Sequence, residues 1–174
     1  MRLFIAINFN EFADYFIKLQ KQLPEAKHTF AKDFHLTLKF LGEVDDNKLE
    51  EIKKILSEIK FRSFNCETTE LGYFNKKFLR VIFVSLNCSE NIEKLQKKID
   101  AALSNLFKKE NNFTPHITIA RVKIVTNKNS YINKIKKIRI EKLSKRINSF
   151  ELIKSNLTPE GPIYEVLGEF KAND

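Results

Sequence analysis

"HLTLKFLGEV", residues 35–44, sets a histidine and a threonine two positions apart in a run that is otherwise mostly apolar. Side chains on a strand alternate between faces, so His35 and Thr37 project together while Leu36 and Leu38 enter the core behind them. "PHITIARVKI", residues 115–124, repeats the arrangement, with Ile117 and Ile119 behind His116 and Thr118. Each stretch reads as one wall of a polar site anchored by an apolar back.

Both walls end a longer repeat. "FIAINFNEF", then "KLQKQL", then "HLTL" has its counterpart in "FVSLNCSEN", "KLQKKI" and "HITI". The separations drift, from 76 residues between Leu19 and Leu95 to 79 between Asn8 and Asn87 and 81 between His35 and His116. Loop lengths have changed while the order of elements has not. A duplicated strand-helix-strand unit predicts two lobes related by a pseudo-twofold axis, with equivalent strands face to face.

Around these walls the pattern predicts an α+β chain. Strands are expected at residues 2–8, 34–44, 63–74 and 77–87, at the second wall, and within "RINSFELIKSNL" and "PIYEVLGEF". The fourth strand follows a turn at residues 75–77, and the last two are joined by "TPEG". Helices are expected after Asn10, through "DDNKLEEIKKILSEI", after Ser89, and as the short basic "NSYINKIKKI". Asn10 and Ser89 are placed as helix caps, and Gly42 marks a bulge or strand end.

The chain has 174 residues, 43% of them hydrophobic, enough for one domain with its own core. Sixteen Phe and no Trp make that core rich in phenylalanine. A net charge of +9 favours anionic partners such as RNA or phosphorylated metabolites. Cys66 and Cys88 have no metal-ligand spacing and read as reduced, buried thiols of a cytoplasmic protein. The opening "MRLFIAINFNEF" turns polar too soon for a signal peptide, and no run is long enough to span a membrane.

Two imidazoles on opposite walls suit phosphoryl transfer, because an in-line displacement needs a base for the entering oxygen and an acid for the leaving one. Imidazole titrates near pH ~6.5, so both protonation states are accessible in neutral solution. The hydroxyls of Thr37 and Thr118 can donate to phosphate oxygens. This scheme requires neither metal nor cofactor. Lys39 shares the His35 face by alternation and would add positive potential; Phe40 has core parity. Strict alternation aims Arg121 away from His116, although strand twist can swing a long side chain back. His28 reads as structural or exposed.

"HLTLKFLGEV" and "PHITIAR", with "MRLFIAI", "FLRVIF" and "SNLTPEGPIYEVLGEF", resemble the two-histidine (2H) phosphoesterase superfamily. Within it they are similar to the LigT-like RNA 2′,3′-cyclic phosphodiesterases, also called ThpR. The resemblance implies a bilobal α+β fold with antiparallel sheets lining a central cleft and helices outside. It implies hydrolysis of an RNA 2′,3′-cyclic phosphate to a 2′-phosphate, with His35 as proton donor and His116 as proton acceptor. Arg80 matches a family arginine and is expected to bind phosphate. Phe30, in "HTFAKDF", stands near a family tryptophan and is expected to stack a base or fill core. The residues leave open another cyclic phosphate or a 2′-5′ RNA bond as substrate, and a non-catalytic clamp on RNA ends. The expected state is a cytoplasmic monomer acting on RNA.

Overall fold

The computed structural model describes residues 1–74, 79–159 and 161–174. The predicted turn at residues 75–77, and position 160 of the "TPEG" turn, lie outside the described residues. The strands are β1 (Arg2–Asn8), β2 (Lys27–Phe30), β3 (His35–Glu43), β4 (Phe64–Phe74), β5 (Val81–Asn87), β6 (His116–Ile124), β7 (Ser144–Ile147), β8 (Ser149–Thr158) and β9 (Gly161–Lys171). The helices are α1 (Ala13–Gln20), α2 (Leu49–Ser57), α3 (Asn91–Ala102) and α4 (Lys128–Ile135). Lys27–Phe30 and Ser144–Ile147 carry too few residues for an alternation to show, and the sequence reading missed β2 and merged β7 into its neighbour.

The strands form one curled antiparallel sheet in the order β7-β4-β5-β6-β3-β1-β8-β9, with β2 on β6. Its halves, β9-β8-β1-β3 and β6-β5-β4-β7, meet through the single pairing of Leu36 with Ile117. These two residues are equivalents in the repeat, so the seam lies on the pseudo-twofold axis.

Register makes the duplication concrete. In the first half Asn8, Ile7 and Ala6 face His35, Leu36 and Thr37; a bulge follows, and then Ile5 and Phe4 face Lys39 and Phe40. In the second, Ser85, Val84 and Phe83 face His116, Ile117 and Thr118, a bulge follows, and Ile82 and Val81 face Ala120 and Arg121. Asn8 therefore corresponds to Ser85 in space, two residues from the Asn87 that sequence similarity had matched. The bulge is conserved between the halves. It flips the parity of everything beyond it.

Three expectations change as a result. Lys39 leaves the His35 face and is buried, its ammonium paired with Asp100 of α3 and donating to the Lys108 carbonyl at 2.7 Å. Phe40 leaves the core and is 65% exposed on the His35 face. Arg121 is carried onto the His116 face, where it is exposed.

Each half also supports the other's wall. Gln20 of α1 donates at 2.8 Å to the carbonyl of Ile119, at the β6 bulge, and α3 grips Lys39, at the β3 bulge. The core between sheet and helices is built on Phe9, Phe16, Phe34 and Phe150, all fully buried.

Three local expectations fail for identifiable reasons. Asn10 does not cap a helix; its side-chain oxygen accepts from the Phe34 amide at 2.7 Å and fixes the entry to β3. Ser89 does not cap α3; it has φ of 52°, and its amide donates to Asn87. Cys66 and Cys88 are buried as expected but form a disulfide, because the β4–β5 register sets them opposite one another just beyond the Glu67–Asn87 pair. No helix among the described residues is long and apolar enough to cross a membrane.

Candidate active site

His35 and Thr37 on β3, and His116 and Thr118 on β6, project from the concave side of the sheet, each half-buried. Neither threonine hydroxyl is engaged by another described residue, so both remain available to a ligand.

The two imidazoles are held differently. The Nδ1 of His116 lies 2.7 Å from the carbonyl oxygen of Thr114. A carbonyl can only accept, so Nδ1 carries the proton and Nε2 presents a lone pair. Phe74 and Phe83 stand edge-on to this ring at 4.7 and 5.2 Å between centroids. Gly72 accommodates Phe83, because a Cβ there would overlap the Phe83 ring. His35 has no ring-nitrogen hydrogen bond to a described residue. It is positioned by Phe4 at 5.0 Å and by the edge of Tyr164 at 5.3 Å.

Electrostatics separates them further. Burial holds His35 down to about 4, helped by the nearby charges of His116 and Arg121. His116 is also lowered, by burial and then Arg121, against the opposing Thr114 hydrogen bond. Arg121 acts on both rings and His116 acts on His35, so the three groups share one field. Both shifts favour the neutral imidazole.

The remaining candidates divide. Arg80 precedes β5, is exposed, and has parity opposite to Val81 and Phe83, which share the His116 face. Phe30 pairs with Ala120 and stacks on His28 at 5.3 Å, on the helix side of the sheet and away from Thr118 and Arg121. His28 is structural, bonded to the Tyr131 hydroxyl at 2.6 Å. Lys39 is a tether between β3 and α3.

Two residues of the cleft escaped the sequence reading. Phe40 stands 81 residues before Arg121, so the repeat itself signalled that whatever swings Arg121 into the cleft would swing Phe40 there too. Tyr164 of β9 had no local signal, since only the curl of the sheet brings it to His35.

A duplicated sheet with paired His-x-Thr strands facing one concavity defines a phosphoesterase of the two-histidine class. The chain belongs to the 2′-5′ RNA ligase superfamily, whose family model matches residues 17–157. It is 38% identical to the RNA 2′,3′-cyclic phosphodiesterase of Methanocaldococcus jannaschii, over 98% of this chain and all of the relative. The same-named protein of Thermotoga maritima is 36% identical over 97% of this chain and 94% of its own. Among solved structures, TT0787 of Thermus thermophilus superposes with a TM-score of 0.78 at 27% identity, covering 98% of this chain and 97% of that one. LigT of Escherichia coli, solved with 3′-AMP, gives 0.80 at 23% identity over 99% and 98%, a likeness of fold.

Proposed function

We propose that the chain hydrolyses the 2′,3′-cyclic phosphate at an RNA end to a 2′-phosphomonoester by acid/base catalysis from its two histidines. The observation that carries this reading is the matched pair of His-x-Thr strands, one imidazole of which is locked with its Nε2 lone pair free. Nε2 of His116 takes a proton from the attacking water as the water oxygen bonds to phosphorus. The P–O3′ bond breaks on the opposite side, and His35, entering as imidazolium, gives its proton to O3′. The products are a free 3′-hydroxyl and a 2′-phosphate, with His35 neutral and His116 charged; return of one proton through solvent resets the pair. Thr37 and Thr118 hold the non-bridging oxygens, and Arg121 offsets their charge.

A cyclic phosphate anion beside His35 opposes burial, His116 and Arg121, and so raises its affinity for the required proton. Phe40, a large exposed ring on the same face, offers a stacking surface to the terminal base.

The test is turnover of an RNA ending in 2′,3′-cyclic phosphate, with the monoester identified. A 2′-phosphate is expected; a 3′-phosphate would reverse the leaving group. His35→Ala and His116→Ala should each lower kcat by at least about a thousandfold, with RNA-end binding kept within about tenfold. Loss of binding alone in both variants would instead support a clamp on RNA ends. Turnover is expected to survive EDTA.

A further inference from the structure

The two His-x-Thr strands match in register but not in what they carry beyond the bulge. On β3 Phe40 holds the cleft-face position beyond the first bulge; a second register shift follows, so that Gly42 pairs with the buried Leu3 and Glu43, opposite Arg2, is next on the cleft face. On β6 Arg121 follows on the cleft face, and Lys123 is the extra residue of a bulge between Val122, opposite His28, and Ile124, opposite Lys27. Beside β6, Lys27 of β2 pairs across from Ile124. Arg121, Lys123 and Lys27 are all exposed, and none has a carboxylate partner among the described residues. One arm of the duplication thus carries an aromatic ring and then Glu43 and Arg2, of opposite charge, across from one another, the other a row of cations with no acidic neighbour in the row.

We propose that single-stranded RNA leading into the cyclic end lies along β6 and β2, its backbone phosphates on Arg121, Lys123 and Lys27. This rests on the reading of the site as an RNA-end phosphodiesterase and names its polarity. The terminal base lies toward Phe40, and the chain leaves by the opposite arm. A path along β3 would bring backbone phosphates against Glu43. At ~3.3 Å per strand residue, Thr118 to Lys123 spans on the order of 15 Å, enough for a few nucleotides. Past Ile124 the row opens into a pocket of about 580 Å³ lined by Lys27, Asn127, Ser130 and Lys134, with Glu25 as its carboxylate. The substrate class that fits is an oligonucleotide end, with a mononucleotide filling only the catalytic part.

The experiment compares kcat/KM for a nucleoside 2′,3′-cyclic phosphate and for a trinucleotide ending in the same group. The wild-type chain should favour the trinucleotide by at least about tenfold, with a steeper salt dependence than the mononucleotide shows. Lys27→Gln with Lys123→Gln should remove most of that advantage, lower the log-log salt slope by roughly 0.7 per lysine, and leave mononucleotide turnover unchanged. Lys54→Gln, which removes one positive charge from exposed α2 against two in the double variant, should change neither substrate. No preference for the trinucleotide, an unaltered preference in the double variant, or an equal loss in Lys54→Gln would each overturn the proposal. Direct binding of a trinucleotide with a 2′-phosphate end gives the same comparison without turnover. Failure of the catalytic reading is therefore seen separately, as absence of mononucleotide hydrolysis.

Discussion

A histidine held at about 4 against an ordinary 6.5 makes folding and proton uptake antagonists. The unfolded chain binds this proton at a higher pH than the folded chain, so the stability linked to His35 is complete above about pH 6.5 and is lost as the pH falls toward 4. The loss reaches about 3 kcal/mol for this side chain, and the lowered His28 and His116 add to it in the same direction. Urea midpoints between pH 7 and 4.5 should fall steeply in the wild-type chain and less steeply in His35→Gln. The same shift bears on catalysis. Binding a phosphate-ended RNA at pH 7 should take up protons, visible as a dependence of calorimetric heat on the buffer's ionisation enthalpy. Tyr164 belongs to this scale too. With ring contacts in place of a nitrogen hydrogen bond, Tyr164→Ala should lower kcat by about tenfold, and Tyr164→Phe, which keeps the edge contact, should restore it. His116, which does not touch Tyr164, should keep its own limb of the pH profile.

At the scale of elements, the β3 bulge explains why a lysine can sit inside the core. Lys39 is 2% exposed and its partner Asp100 also accepts from the Glu110 amide at 3.1 Å, so one ion pair ties β3, α3 and the following loop together. Lys39→Ala leaves a buried carboxylate without its cation and should cost about 3 to 5 kcal/mol in a denaturant titration. The disulfide works on a different element pair. It closes a loop of 22 residues around the β4–β5 hairpin, so its reduction should lower stability by about 3 kcal/mol. An unchanged midpoint in dithiothreitol would show that the bond does not constrain the unfolded chain. These two features also mark where the sequence stopped being legible. Alternation placed His35, Thr37, His116 and Thr118 correctly, because all four precede the bulges. It misplaced Lys39 and Phe40, which follow one, since a bulge is a property of the paired strands and left no glycine at Leu38 to mark it; Gly42, with φ of 73°, marks only the second register shift further along β3. The cysteine pairing was hidden for the same reason, because opposition across a hairpin depends on a register that spacing does not reveal.

For the whole molecule, the repeat in the sequence carried more than any single motif. It implied the pseudo-twofold axis, the common cleft and the shared parity of Arg121 and Phe40, while the closeness of Tyr164 to His35 needed the curl of the complete sheet. The axis has a mechanical consequence. The halves of the sheet touch through Leu36 and Ile117, both fully buried, and each of these residues is flanked by one of the two cleft histidines and its threonine. Truncating either to alanine removes core contacts worth about 2 to 5 kcal/mol. It also loosens the one pairing that fixes the two imidazoles relative to each other. An in-line displacement is sensitive to shifts of an ångström in its acid and base. Leu36→Ala and Ile117→Ala should therefore lower kcat well beyond what their residual folded population allows, and the pair should be non-additive in a double-mutant cycle because the residues share the contact. Ile92→Ala, an equally buried truncation in α3 remote from the seam, supplies the comparison. It should lose similar stability and keep kcat. If all three variants lose kcat in proportion to stability alone, the seam is ordinary core and does not set the geometry of the site.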